Sequence, residues 1–262
     1  MKMKPIIFST AMTKAILEGR KKQTRRAIKP QPKLVNTKDE YANMSAWEWK
    51  GKKWLLDLIF EKSGIEEYAP CKPGDILYVK ETWEKLECDT CDECFRYGHE
   101  DDWQKQGYCF VYRSTNNIYG DAKWKSPLFM PKEAARLFLR VTDVKVERLQ
   151  EIAADDCISE GIAIEWSDEL PKPSYHSLAY YERRVKPAFI KAFAKVWNSI
   201  NAKKQGFLWK DNPYVWVINF ARELQHGKLC NNCLYRMAAE NGSETNKLDM
   251  DRKIDRRQGI NE

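Results

Sequence analysis

The apolar positions change rhythm along the chain, and each rhythm predicts an element. Near the start, "KPIIFST" carries a short apolar run that reads as a first strand. Thr10 follows and can cap a helix over 11–18 through its side-chain oxygen. Met12, Ala15 and Ile16 stand at i, i+3 and i+4 and give that helix a narrow apolar stripe. Gly19 stands where a left-handed residue closes a helix. The next stretch, "TRRAIKPQP", cannot stay helical, because Pro30 and Pro32 lack an amide hydrogen and fix φ. Extended backbone there puts Thr24 and Arg26 on one face and turns Arg25 to the other.

Residues 31–70 read as an insertion. Within it "SAWEWKGKKWLL" alternates Trp47 with Trp49, turns at "KGKK" and returns through Trp54, which predicts a hairpin. Its tryptophans beside lysines could stack on bases; a small local core is the commoner use of such residues. Pro73, Gly74 and Asp75 predict a turn into a strand over 76–82, and "YCFVYRS" predicts another. The stretch "PKEAARLFLRVTDVKVERL" opens on a capped turn and continues as a long strand over 137–149, followed by a short helix over 155–161. In "VKPAFIKAFAKVWNSIN", Phe189, Ile190, Phe193, Val196, Trp197 and Ile200 recur at helical spacing, so that stripe is expected to be core. A last strand is expected in "NPYVWVINFARE". Strands outnumber helices and the helices lie between them. This favours an α+β fold, a small mixed β-barrel with flanking helices, over an alternating parallel sheet. One domain over 1–225, with inserts at about 31–70 and 86–108, and a polar, flexible tail over 226–262 are expected.

Composition adds a class. With 43% hydrophobic and 12% aromatic residues in a chain of 262, the protein reads as globular. No apolar run approaches the ~20 residues of a membrane span, and residues 1–5 carry no signal-peptide core, so a cytoplasmic protein is expected. Charge sharpens this. Residues 1–35 hold ten basic residues and one acid, or +9, so the remainder of a chain of net +7 carries −2. A local cationic field suits phosphate or a nucleic-acid backbone; a solvated face is the plainer alternative. The centre of that field is "GRKKQTRR", with five cations and one threonine in residues 19–26.

The eight cysteines of a cytoplasmic chain are read as thiols or metal ligands. Cys88, Cys91 and Cys94 fall at x2 spacing, and Cys109 or His99 could complete a tetrahedral structural zinc, with Cys109 the favoured fourth ligand. Cys230 and Cys233 form a second pair that could supply ligands instead, and unligated thiols are the alternative to any metal. Cys71 and Cys157 stand alone and are expected to be buried thiols. No organic cofactor is expected.

The run Gly19-x-Lys21-x-x-Thr24-x-Arg26, "PGDILYVKETW", "FLRVTDVKVERLQEI" with the following "SEGI", "FAKVWNSIN" and "NPYVWVINF", in this order, resemble the ASCH domain of the PUA-like superfamily. The likeness is closest to ASCH-like proteins of phages and prophages and covers roughly residues 3–224, with the inserts unaccounted for. The resemblance implies a PUA-like barrel whose cleft binds RNA or a nucleobase. Some small bacterial members resemble amidohydrolases that deacetylate N4-acetylcytidine; others are linked to RNA cleavage. In the amidohydrolases a Thr nucleophile, a Lys base and a Glu acid form the site, which carries over to Thr24, Lys21 and Glu160.

The residues permit that chemistry. A threonine hydroxyl is a weak nucleophile until a base takes its proton. Lys21 lies among Arg20, Lys22, Arg25 and Arg26, whose like charges lower its pKa toward what a base needs. Arg26 could hold an oxyanion or phosphate, and Arg20 and Arg25 flank it as further ligand-binding cations. The structural alternative is that Thr24 satisfies backbone and Glu160 forms a buried bridge. The functional alternatives to an amidohydrolase are a non-catalytic nucleic-acid-binding module and a phage accessory protein.

Overall fold

The computed structural model describes residues 1–39, 42–55, 65–87, 108–115, 123–164 and 180–223. They contain ten strands: β1 (Met3–Ile7), β2 (Gln23–Ala27), β3 (Lys33–Asp39), β4 (Ala42–Trp49), β5 (Lys52–Leu55), β6 (Ile76–Lys80), β7 (Trp83–Glu87), β8 (Tyr108–Tyr112), β9 (Phe138–Arg148) and β10 (Tyr214–Glu223). The α-helices are α1 (Thr10–Leu17), α2 (Ala154–Ser159) and α3 (Lys186–Asn201). The fold is α+β with a core made mostly of sheet.

The chain divides into two compact units. The first takes Met1–Ile6, Ala11–Tyr78 and Phe138–Glu223. Its frame is a five-stranded sheet of order β1-β6-β9-β10-β2, with β1 and β2 at the edges; among the described residues the sheet does not close into a barrel. β9 and β10 pair antiparallel along their whole length, with a bulge at Asn219/Phe220. β10 alternates little because both its neighbours and both its faces are covered: Val215, Trp216, Val217 and Ile218 are all buried. α2 and α3 pack on this sheet through Cys157, Phe189, Phe193 and Trp197 against Val215 and Val217.

The hairpin expected around Trp47 to Trp54 forms. β4 and β5 pair Trp47 with Trp54, and Lys50 and Gly51 turn the chain at φ 51° and 76°. That is the doubly positive turn that a two-residue hairpin needs. β3 joins them as a separate three-stranded sheet. Trp49 is core: it meets Tyr68 and Trp216 edge-on, and its indole N–H donates to the Pro30 carbonyl at 2.7 Å. Trp47 and Trp54 have side chains outside the described set.

Asp75 anchors the start of β6. Its carboxylate accepts from the Lys2 amide at 2.8 Å and the Lys72 amide at 3.2 Å, and Lys4 Nζ stands 3.4 Å away. The Lys2 hydrogen bond leads in holding its carboxyl below the ordinary range; burial pushes the other way, and Lys72 and Lys4 reinforce the lowering. A depressed carboxyl stabilises the fold above its unfolded pKa and loses that contribution as pH falls through the folded value. Asp75→Asn is therefore expected to cost about 1 kcal/mol at neutral pH, a deficit that fades in acid below pH 3.8. Denaturant melts at pH 7 and pH 3 read both, and equal stability of the two proteins at pH 7 would refute the anchor.

The second unit, whose described part is Ile7–Thr10 and residues 79–87, 108–115 and 123–137, is built on the β7–β8 pair. Trp83, Tyr112, Met130 and Ala134 make its small core. Beside it Glu81 is buried and takes Arg136 in a two-pronged ion pair at 2.9 and 3.1 Å, with the guanidinium 3.9 Å from the Tyr112 ring centre.

Cys88, Cys91, Cys94, His99, Cys230, Cys233 and the polar stretch 226–262 lie outside the described residues. Cys109 sits on β8 opposite Leu86. Among the described residues no group of His, Cys, Asp and Glu is placed to hold a metal. Nor is any helix there long and apolar enough to cross a membrane.

Candidate functional site

Three local structures bring the site together. α1 ends at Gly19, whose φ of 73° turns the chain while its amide donates to Ile16. The Lys21 amide then donates to the Ala15 carbonyl at 2.9 Å and the Lys22 amide to Ser159 at 2.7 Å, tying the basic stretch to α1 and to the last turn of α2. β2 follows and is held in register on β10, with Thr24 opposite Ile218, Arg25 opposite Val217 and Arg26 opposite Trp216. α2 closes in a Schellman arrangement: the Ile162 amide donates to Cys157, and the Gly161 amide to Ile158. Gly161 takes φ 86°. This fixes Glu160 at the helix end, facing Lys21.

The two meet as a buried pair. Lys21 Nζ donates to Glu160 Oε2 at 2.8 Å and to the Glu160 carbonyl at 2.7 Å. Lys21 is 2% exposed, Thr24 3% and Glu160 7%, so this pair is shielded from solvent screening. Burial lowers the pKa of Lys21; Glu160 opposes that by charge and hydrogen bond, and Arg26 and Arg25 lower it further. Burial also lowers the pKa of Arg26 against the pull of Glu160, and a guanidinium stays charged regardless.

Arg25 reaches the cleft with its guanidinium already held by carboxylates. Strand alternation turns it from Thr24 and Arg26, yet its side chain is fully buried. It donates to Gln23, to Glu147 at 3.0 Å and to Asp156 at 2.9 Å, and reaches Glu160 Oε1 at 3.5 Å. Only its Nε lacks a partner. Arg25 thus binds β2 to β9 and α2 and grips the second oxygen of Glu160. Both oxygens of that carboxylate are engaged, one by each cation.

Thr24, Arg25, Arg26 and Glu160 line one cleft of about 200 Å³. Its other wall is a single face of α3: Phe193, Val196, Trp197, Ile200 and Asn201 at i, i+3, i+4, i+7 and i+8. The helical stripe expected to be core is therefore divided. Phe189, Phe193 and Trp197 are buried, while Val196 and Ile200 are 37% and 49% exposed on the cleft side. Lys29 and Lys204 complete the lining at the mouth. Arg20, by contrast, is exposed, tied to Glu18 and to the Gly161 carbonyl, and is not among the lining residues. The lone thiols are inert: burial pushes Cys71 up to about 11 and Cys157 up to about 12.

Of the residues singled out in the sequence, Thr24, Arg26 and Glu160 line the cleft and Lys21 pairs with Glu160 without lining it; Gln23, Glu147, Asp156, Lys29 and Lys204 were not singled out. The Asp156 carboxylate also reaches the Ala153 amide at 3.3 Å, so an acid in the first turn of a short helix was its one local signal. Comparison with family models, with curated proteins and with solved structures finds no match to this chain.

Proposed function

We propose that the protein is an ASCH-type, PUA-like domain whose cleft takes a modified nucleobase, free or in RNA, and hydrolyses an N-acyl amide on it. The observation that carries the reading is the convergence of Thr24 and Glu160 on one cleft with Lys21 paired behind them. On this reading the five-stranded sheet is the open part of the PUA-like barrel. A cleft of about 200 Å³ is smaller than a drug-sized pocket of roughly 300 Å³ or more, which suits one base rather than a helix.

Burial lowers the Lys21 pKa, the direction a lysine base needs. The neutral amine takes the Thr24 proton as Oγ attacks the acyl carbonyl, Arg26 holds the oxyanion, and the same proton passes on through the Lys21–Glu160 pair to the departing amino group of the base. Water then cleaves the acyl–threonine ester, returning a carboxylate and free Thr24. A second reading, binding without turnover, is favoured by one feature. Lys21 spends two hydrogen bonds on Glu160 in the resting pair.

Conversion of N4-acetylcytidine to cytidine and acetate, followed chromatographically, tests the proposal. Thr24→Ala is expected to lower turnover by at least ~100-fold while the melting temperature moves by no more than about 2 °C. Binding without turnover by the wild-type protein selects the second reading, and absence of both removes the site.

A further inference from the structure

We infer that the mouth of this cleft is a phosphate subsite, so that the ligand is a nucleotide unit rather than a free nucleoside; the inference rests on the nucleobase reading of the cleft. The inner charges of the site are already balanced. Glu160 is held by Lys21 and Arg25, and Arg25 is further neutralised by Glu147 and Asp156. The rim is different. Lys29 and Lys204 both line the cleft and both are exposed. Lys29 Nζ sits 5.1 Å from the Phe207 ring centre, and Lys204 Nζ donates to the Asn201 side-chain carbonyl at 2.9 Å. Each ammonium is thus placed by a neutral group, and among the described residues neither is ion-paired with a carboxylate. Arg26, on the β2 side of the cleft, adds a third cation.

Facing these cations is an apolar wall, with Val196 and Ile200 open to solvent and Phe193 and Trp197 beneath them. A ligand that satisfies both needs a flat, weakly polar body for the α3 face and an anion at its edge for the lysines. A base carrying a ribose phosphate has that shape and charge. A free nucleoside leaves the lysines facing water, and inorganic phosphate leaves the α3 face uncovered. The phosphate could belong to a mononucleotide or to one link of an RNA strand.

Calorimetric titration at low salt tests this. Each of the four common ribonucleosides and N4-acetylcytidine is compared with its 5′-monophosphate, with inorganic phosphate as a control. The monophosphate of the preferred base is expected to bind about ten-fold tighter than its nucleoside, the equivalent of one charge-assisted contact. That ratio should fall toward one at high salt and in Lys29→Ala/Lys204→Ala, but not in Lys195→Ala, a lysine of α3 that does not line the cleft. A dinucleotide that binds tighter still assigns the phosphate to a strand; equal binding of dinucleotide and mononucleotide assigns it to the monophosphate. Equal affinity for nucleoside and monophosphate overturns the subsite and leaves the nucleobase reading standing. So does a ratio unchanged by the double substitution, and so does inorganic phosphate binding as tightly as the monophosphate. Binding of no nucleoside and no nucleotide overturns both.

Discussion

Lys21→Met is expected to destabilise the protein by about 3–5 kcal/mol, the cost of removing one partner of a buried ion pair. The reason lies in what is left behind. Glu160 is 7% exposed and would keep Arg25 at 3.5 Å and the charge of Arg26, while its own carbonyl would lose a donor. Removing the acid as well should recover part of the loss. Lys21→Met/Glu160→Leu is expected to be less destabilised than the sum of the single variants by about 0.5–3 kcal/mol, because Arg25 keeps Glu147 and Asp156. The pH dependence has a definite sign. The folded pKa of Lys21 is lowered from 10.5, so the folded chain sheds this proton before the unfolded chain does. Between the two values the wild type gains stability as pH rises, and Lys21→Met, with no proton to shed, lacks that gain. Denaturant melts of the three proteins from pH 7 to 10 measure all of this. A single variant within about 0.5 kcal/mol of wild type would mean that the pair bears no weight.

The sequence made parts of this site readable and hid others, for physical reasons that differ residue by residue. Gly19 was legible because a helix end followed by cations leaves few conformations, and only glycine takes a φ of 73° without strain. The Trp47–Trp54 hairpin was legible because a two-residue turn sets its own register. Arg25 was not. Alternation along β2 places a Cβ, but the guanidinium lies several bonds beyond it and goes to the carboxylates that fix it. Those lie 122, 131 and 135 residues away in sequence, and no local pattern reports them. The divided stripe of α3 was missed for a related reason. Helical periodicity says that Val196 and Ile200 share a side with Trp197; it does not say that the sheet stops short of covering them. Sheet order is hidden in the same way, since β10 inserts between β9 and the far earlier β2.

Among the described glycines, Gly161→Ala is expected to be the most damaging alanine substitution. Its φ of 86° costs an alanine about 1–2 kcal/mol. A Cβ there would also stand 2.8 Å from Ala15 Cβ and 3.1 Å from Lys21 Cβ. Neither neighbour can yield cheaply. Ala15 is 2% exposed in α1, and Lys21 is fixed by its amide to Ala15 and by its ammonium to Glu160. Overpacking of this kind adds about 1–3 kcal/mol. Gly19→Ala supplies the control, because its φ of 73° is equally unfavourable while nothing lies within 4 Å of the added carbon. The two variants share the backbone penalty, so their difference in stability isolates the close approach of α1 and the end of α2. Lys21 is one of the side chains crowded and is paired with Glu160, so on the proposed nucleobase reading Gly161→Ala should also weaken ligand binding beyond what Gly19→Ala does. Thermal melts and the same titrations give both differences. Equal losses in the two variants would show that α1 and the end of α2 do not approach as closely as these distances require.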